Sequence, residues 1–197
     1  MNRTMARTFT PAALLCAALS GCGDSTGPGD QSFVVGGTIQ NNTQVPVPAN
    51  ARLLVAWAVS TGTDHTYVFG EGTIDRTAGT FSISFQDAPP AAGLNAGVVG
   101  VGIIFVTTNS TIATGWDVED IPLNDIIGAA GAYAVIYVAD EAQAQALAGW
   151  TGDFESGYGA GRGEPVQGSF DIFVPTDPGS VVLTIDDLSN IDFVNWT

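Results

Sequence analysis

The chain has 197 residues, with twenty acidic side chains against five basic ones, no lysine, one histidine and two cysteines. A formal charge of −15 repels nucleic acid and anionic headgroups, which makes both poor partners; divalent cations and basic proteins are what such a surface attracts. With a single histidine, no second one exists to complete a zinc coordination sphere.

Residues 1–21 have the three parts of a secretory signal: Arg3 and Arg7, an apolar run over 9–19, and the small residues Ser20 and Gly21. The apolar run falls well short of the roughly 18 to 20 residues a spanning helix needs. The stretch Leu19-Ser20-Gly21-Cys22 resembles the lipobox of bacterial lipoproteins. That resemblance implies cleavage before Cys22, a diacylglyceryl group on its sulfur and commonly an N-acyl chain, hence an exported protein anchored to the cell envelope through lipid. The alternative is a plain signal peptide with Cys22 an ordinary thiol. Cys16 lies inside the segment to be removed, so the mature chain keeps one cysteine and no internal disulfide. Several acyl chains give stable attachment, at about 0.8 kcal/mol per buried methylene. In the family an Asp after the cysteine favours retention at the inner membrane; Gly23 stands there, so the outer membrane is favoured.

Residues 23–32 are turn formers with few apolar side chains, read as a tether with a reach of roughly 17 Å. Residues 33–197 follow as one domain. From Cys22 onward Arg52, Arg76 and Arg162 face all twenty acidic residues, a formal charge of 3 − 20 = −17.

Strand patterns dominate this domain. Residues 33–39 open it, an Asn/Pro connection follows over 40–50, and 51–59 carry Leu53, Val55, Trp57 and Val59 at period two. Residues 67–74 and 80–85 read as a hairpin around Asp75-Arg76-Thr77-Ala78-Gly79. Strands are expected over 97–108 and 111–116, helix or loop over 121–130, and a buried strand over 133–139. Asp140 with Gln143 predicts the start of one short helix, 141–148. Residues 169–174 and 181–185 predict a closing hairpin, and 191–194 a last short strand.

This adds up to a mainly β protein, a single antiparallel β-sandwich with one short helix; a small β-barrel is the alternative. Over residues 33–85, the order of strand, Pro-containing loop, Trp-bearing strand and Asp-to-Gly hairpin resembles transthyretin-like and carboxypeptidase-regulatory-like sandwiches. That resemblance implies a fold and no catalytic residue.

Candidate sites are few. His65, beside Asp64, is expected in an exposed turn, where a base is rarely held against a nucleophile. Asp153 and Glu155 form a carboxylate pair of the kind glycoside hydrolysis uses. The glycines from Gly157 to Gly163 lack the strand and helix that flank a dinucleotide fingerprint and read as a loop or bulged strand. Asp117, Glu119 and Asp120, with Asp125 nearby, supply oxygen ligands for calcium without the spacing of an EF-hand. Trp116, Trp150, Phe154 and Tyr158 are candidate stacking surfaces for a sugar. The function expected is a non-enzymatic envelope module that binds a protein or a glycan. The alternatives are an acidic-residue hydrolase and a calcium-responsive structural domain.

Overall fold

The computed structural model describes residues 32–61, 64–112, 116–117, 125–147, 152–166 and 169–186. Among the described residues ten strands run in chain order: β1 (Phe33–Asn41), β2 (Arg52–Thr61), β3 (Asp64–Asp75), β4 (Thr80–Phe85), β5 (Val99–Thr107), β6 (Trp116–Asp117), β7 (Ile126–Val138), β8 (Gly157–Val166), β9 (Ser169–Thr176) and β10 (Val181–Ile185). A 3-10 turn spans Ala91–Gly93, and one helical turn, α1, spans Glu141–Gln145.

Seven strands close into a barrel in the order β1-β4-β3-β2-β5-β7-β10 and back to β1. The expected sandwich gives way to the small barrel. Alternation along a strand is the same in both, so it does not separate them. Closure depends on β10, which lies parallel to β1, with Gly37 opposite Val181 and Asn41 opposite Ile185, and antiparallel to the start of β7. The sheet is therefore not wholly antiparallel. Nor do β9 and β10 form a hairpin: β9 pairs with β8, and the turn between them carries the chain to the far side of β1.

β7 is long, 13 residues, and its one edge serves two neighbours. Gly128 and Ala129 meet β10, whereas Tyr133 to Val138 meet β8. The β8–β9 ribbon thus leaves the ring, and β6 adds a short pairing to β3. Residues 126–130, expected as helix or loop, begin β7. Residues 111–112 are not in a strand, which leaves β6 as the only strand in that stretch among the described residues. The glycine-rich stretch from Gly157 is β8, a strand with a register shift between Glu164 and Pro165.

The interior is filled. Val35, Leu53, Val55, Phe81, Ile83, Ile104, Val106, Val135, Val181 and Leu183 point inward and are buried. Space for them comes from glycines at inward positions. A Cβ on Gly72 would lie 2.5 Å from Ile83 Cγ1 and 2.8 Å from Leu53 Cδ2, and one on Gly70 would lie 2.9 Å from Val55 Cγ1. On the outer face of β1 and β4 stand Thr38, Gln40, Ser82 and Ser84, beside the exposed Val34. No helix of the described residues is long and apolar enough to cross a membrane.

The β3–β4 hairpin forms as expected. Asp75 Oδ1 accepts from the N–H groups of Thr77 and Ala78, each at 2.9 Å, and Gly79 takes the left-handed conformation (φ 66°) that ends the turn. Asp140 caps α1 as the sequence predicts, accepting from Gln143 N–H at 2.9 Å. The helix stops at Gln145, three residues short of the expected end, with Ala146 as its C-cap. Residues 1–31 and 187–197, and with them the signal, Cys22, most of the tether and the expected strand 191–194, lie outside the described residues.

Candidate functional site

The two ends of the barrel differ in chemistry. β1 starts at the end that we term the mouth, where β4 and β7 finish and β5 and β8 begin. The opposite end is the base.

Five rings meet across the mouth. Phe33 comes from β1, Trp57 from β2, Phe85 from β4, Tyr137 from β7 and Tyr158 from β8. Tyr158 touches the other four. Its ring centroid is 4.8 Å from Phe85 and from Tyr137, 5.7 Å from Phe33 in a stacked arrangement, and 6.1 Å from Trp57. Contacts at these distances add about 0.5–1.5 kcal/mol per pair beyond buried area. The Tyr158 hydroxyl donates to the backbone carbonyl of Asp87 at 2.6 Å, tying β8 to the β4–β5 connection. Burial pushes the Tyr158 phenol well above its ordinary range, with smaller contributions from Tyr137 and Asp87.

Trp57 is the deepest of the five, 3% exposed. Three glycines make its seat. A Cβ on Gly93 would lie 2.9 Å from Trp57 Cβ, one on Gly100 3.3 Å from Cε3, and one on Gly102 3.0 Å from both Cη2 and Cζ3. A side chain at Gly93, or at Gly102 on the inward face of β5, would press on Trp57, and one at Gly100 would meet Leu94 first.

Asp87 follows the end of β4 at the mouth, Asp140 and Glu141 follow the end of β7, and Glu155 precedes the start of β8. Two of the arginines brace loops at the base. Arg76 donates to the carbonyls of Pro48, Ala49 and Ala51 at 3.1, 3.0 and 2.9 Å. Arg52 pairs with Glu71 through two bonds of 3.0 Å and also reaches the carbonyls of Asn109 and Ile112. That pairing raises the Arg52 guanidinium and lowers the Glu71 carboxyl from their ordinary values. Arg162 is exposed on β8.

The aromatic residues singled out in the sequence end up apart. Phe154 is 7% exposed and lies flat on β8, where a Cβ on Gly159 would come within 2.8 Å of its Cδ1 and one on Gly161 within 3.2 Å of its Cζ. It packs with Val99, Ile136, Val138 and Ala144 on the outside of the barrel, so its ring is part of a core and not an open surface. Tyr158 sits in the ring layer. Trp116 enters β6 opposite Tyr67, and Trp150 lies outside the described residues.

Of the calcium candidates, Asp117 stands opposite Thr66 on β6, and Glu119 and Asp120 lie outside the described residues. Asp125 accepts from Asn109 Nδ2 at 3.0 Å. Among the described residues no three His, Cys, Asp or Glu side chains gather as a metal site would require. His65 and Asp64 belong to strand β3, opposite Ser60 and Thr61, and not to a turn. Asp153 and Glu155 are both exposed on the segment leading into β8, on either side of the buried Phe154.

Sequence reasoning placed Trp57 in the core and missed Phe33, Phe85 and Tyr137 as its companions. Each has the parity of the inward face of its strand, which was the signal open to view. Compared with protein-family models, with curated proteins and with solved structures, the chain matches none.

Proposed function

We propose that this chain is an exported, lipid-anchored β-barrel module of the cell envelope that acts by binding a protein or a glycan. The observation that carries the reading is the position of Phe33. It opens β1 at the mouth, eleven positions (33 − 22) after Cys22. A lipid on Cys22 holds the mouth on the bilayer side. The base, with its loops braced by Arg52 and Arg76, is then the end presented to partners. The exposed Thr38, Gln40 and Ser84 on the outer faces of β1 and β4 suit a domain held in water beside a membrane, with lipid attachment left to the acylated cysteine. Gly23 favours the outer membrane as the site of anchoring.

Mass spectrometry of the native protein tests the anchor. The expected product begins at Cys22 and carries the mass of a diacylglyceryl group, and a Cys22→Ser variant is released into the soluble fraction. An intact leader, or a Cys22→Ser protein that stays as firmly membrane-bound, overturns the reading. Binding is tested by capture on peptidoglycan and on purified envelope polysaccharide. Retention that the base-loop variant Arg76→Ala abolishes supports presentation of that end; retention unchanged in Arg76→Ala counts against it.

A further inference from the structure

The ring is closed unevenly. Around the base, β10 fills the gap between β1 and β7, with five registered positions against β1 and two against β7. β10 begins only opposite Gly37. Above that level Phe33 to Gly36 of β1 face the end of the β8–β9 ribbon, and no ladder joins the two among the described residues. One backbone bond crosses there, from Gly36 N–H to the carbonyl of Pro178, in the turn that leads out of β9 towards β10, at 2.8 Å. The Tyr158 hydroxyl on the Asp87 carbonyl and the ring contacts of Tyr158 complete the closure. By contrast, β2 and β3 share nine registered positions and β2 and β5 six.

The ribbon also has a swivel. Gly157, the first residue of β8, has φ 112°, a conformation open to glycine and strained for other residues, and a Cβ there would meet nothing within 4 Å. Glycine stands at this point for backbone freedom and not for room.

We propose that the barrel opens at its mouth along the seam between β1 and the β8–β9 ribbon. The ribbon swings about its ladder with β7 and withdraws Tyr158 from the ring layer, while the base stays shut. Local opening takes the route that breaks the fewest backbone bonds. Here that is one backbone bond, together with the hydroxyl bond and ring contacts of Tyr158. Opening uncovers Trp57 and Phe85 and leaves the Asp87 carbonyl open to an incoming donor.

Amide hydrogen exchange by NMR on the full mature chain tests this, because three amides of the β1 region report three places with the same bond length. Gly36 N–H crosses the seam to Pro178, Ile39 N–H meets Gly79 in the hairpin turn, and Asn42 N–H meets Ile185 at the base, all at 2.8 Å. The protection factor of Gly36 should be at least tenfold below those of Ile39 and Asn42. Tyr158→Phe removes the hydroxyl and keeps the ring, and should lower the Gly36 value about fivefold further, the loss of one net hydrogen bond, with the other two unchanged. Equal protection at all three amides in the native chain overturns the proposal. So does a Tyr158→Phe variant in which the three fall together, since that reports loosening of the whole barrel.

Discussion

Replacing Gly37 with alanine tests the closure of the barrel directly. Gly37 pairs with Phe81 of β4 on one side and with Val181 of β10 on the other. A Cβ there would lie 1.8 Å from the Val181 carbonyl oxygen and 2.9 Å from its nitrogen, against an ordinary contact of 3.4 Å or more. Both are backbone atoms, so no rotamer change relieves the clash. The strands must part, and the five registered positions between β1 and β10 go with them. Parallel pairing over five positions holds about four or five backbone bonds, each contributing about 1 kcal/mol net. Loosened packing of Val181 and Leu183 adds about 1–3 kcal/mol. The expected loss is at least about 4 kcal/mol, a large share of the 5–15 kcal/mol typical of a domain. Urea denaturation followed by circular dichroism measures it, with Gly131→Ala as the control: a Cβ on Gly131 meets nothing within 4 Å, and that variant should match or slightly exceed the native stability. A Gly37→Ala protein within 1 kcal/mol of the native chain, with an unchanged slope, would refute the β1–β10 closure.

Other outcomes follow from the mouth and the base. Gly102→Ala places a Cβ 2.8 Å from Val55 Cγ2 and against the Trp57 ring, and should cost about 1–3 kcal/mol in the same denaturation assay. Tyr158 has its phenol raised in the fold, so its neutral form is the one the fold favours. The stability this contributes is fully present below the unfolded value near pH 10 and declines as pH rises beyond it; urea midpoints between pH 9 and 11 should fall more steeply in the native chain than in Tyr158→Phe. Arg76→Ala removes three donors to the 48–51 carbonyls and should cost about 1–2 kcal/mol at this largely exposed site. Arg76→Lys should recover only part of that, because an ammonium does not span three acceptors as the planar guanidinium does.

Much of the strand content was legible in the sequence. The β3–β4 hairpin could be read because Asp75 and Gly79 set the turn and Phe81, Ile83 and Phe85 alternate cleanly. The Asp140 cap could be read because its partner is three residues away. Pairings over long separations could not. The inward residues Val181, Leu183 and Ile185 of β10 fit equally well beside β9 in a hairpin or beside β1 in a ring, since a period of two names a face and not a neighbour. β8 was obscured for another reason: Gly157, Gly159 and Gly161 carry no side chain to alternate, and the rings that cover two of them, Phe154 and Phe173, come from elsewhere in the chain. The mouth was hidden likewise. Its central contact joins Phe33 to Tyr158, and only the closed topology brings these together.

The side-by-side placement of the first and last strands of the ring sets a schedule for assembly. Gly37 and Val181 are 144 positions apart (181 − 37), so no cylinder exists until almost the whole chain is available. A polypeptide delivered amino end first, whether by a ribosome or through a translocation channel, must wait as an unclosed, curled sheet whose leading border stays unpaired. Any holding factor that shields such a border would be needed during that interval and superfluous once β10 has arrived.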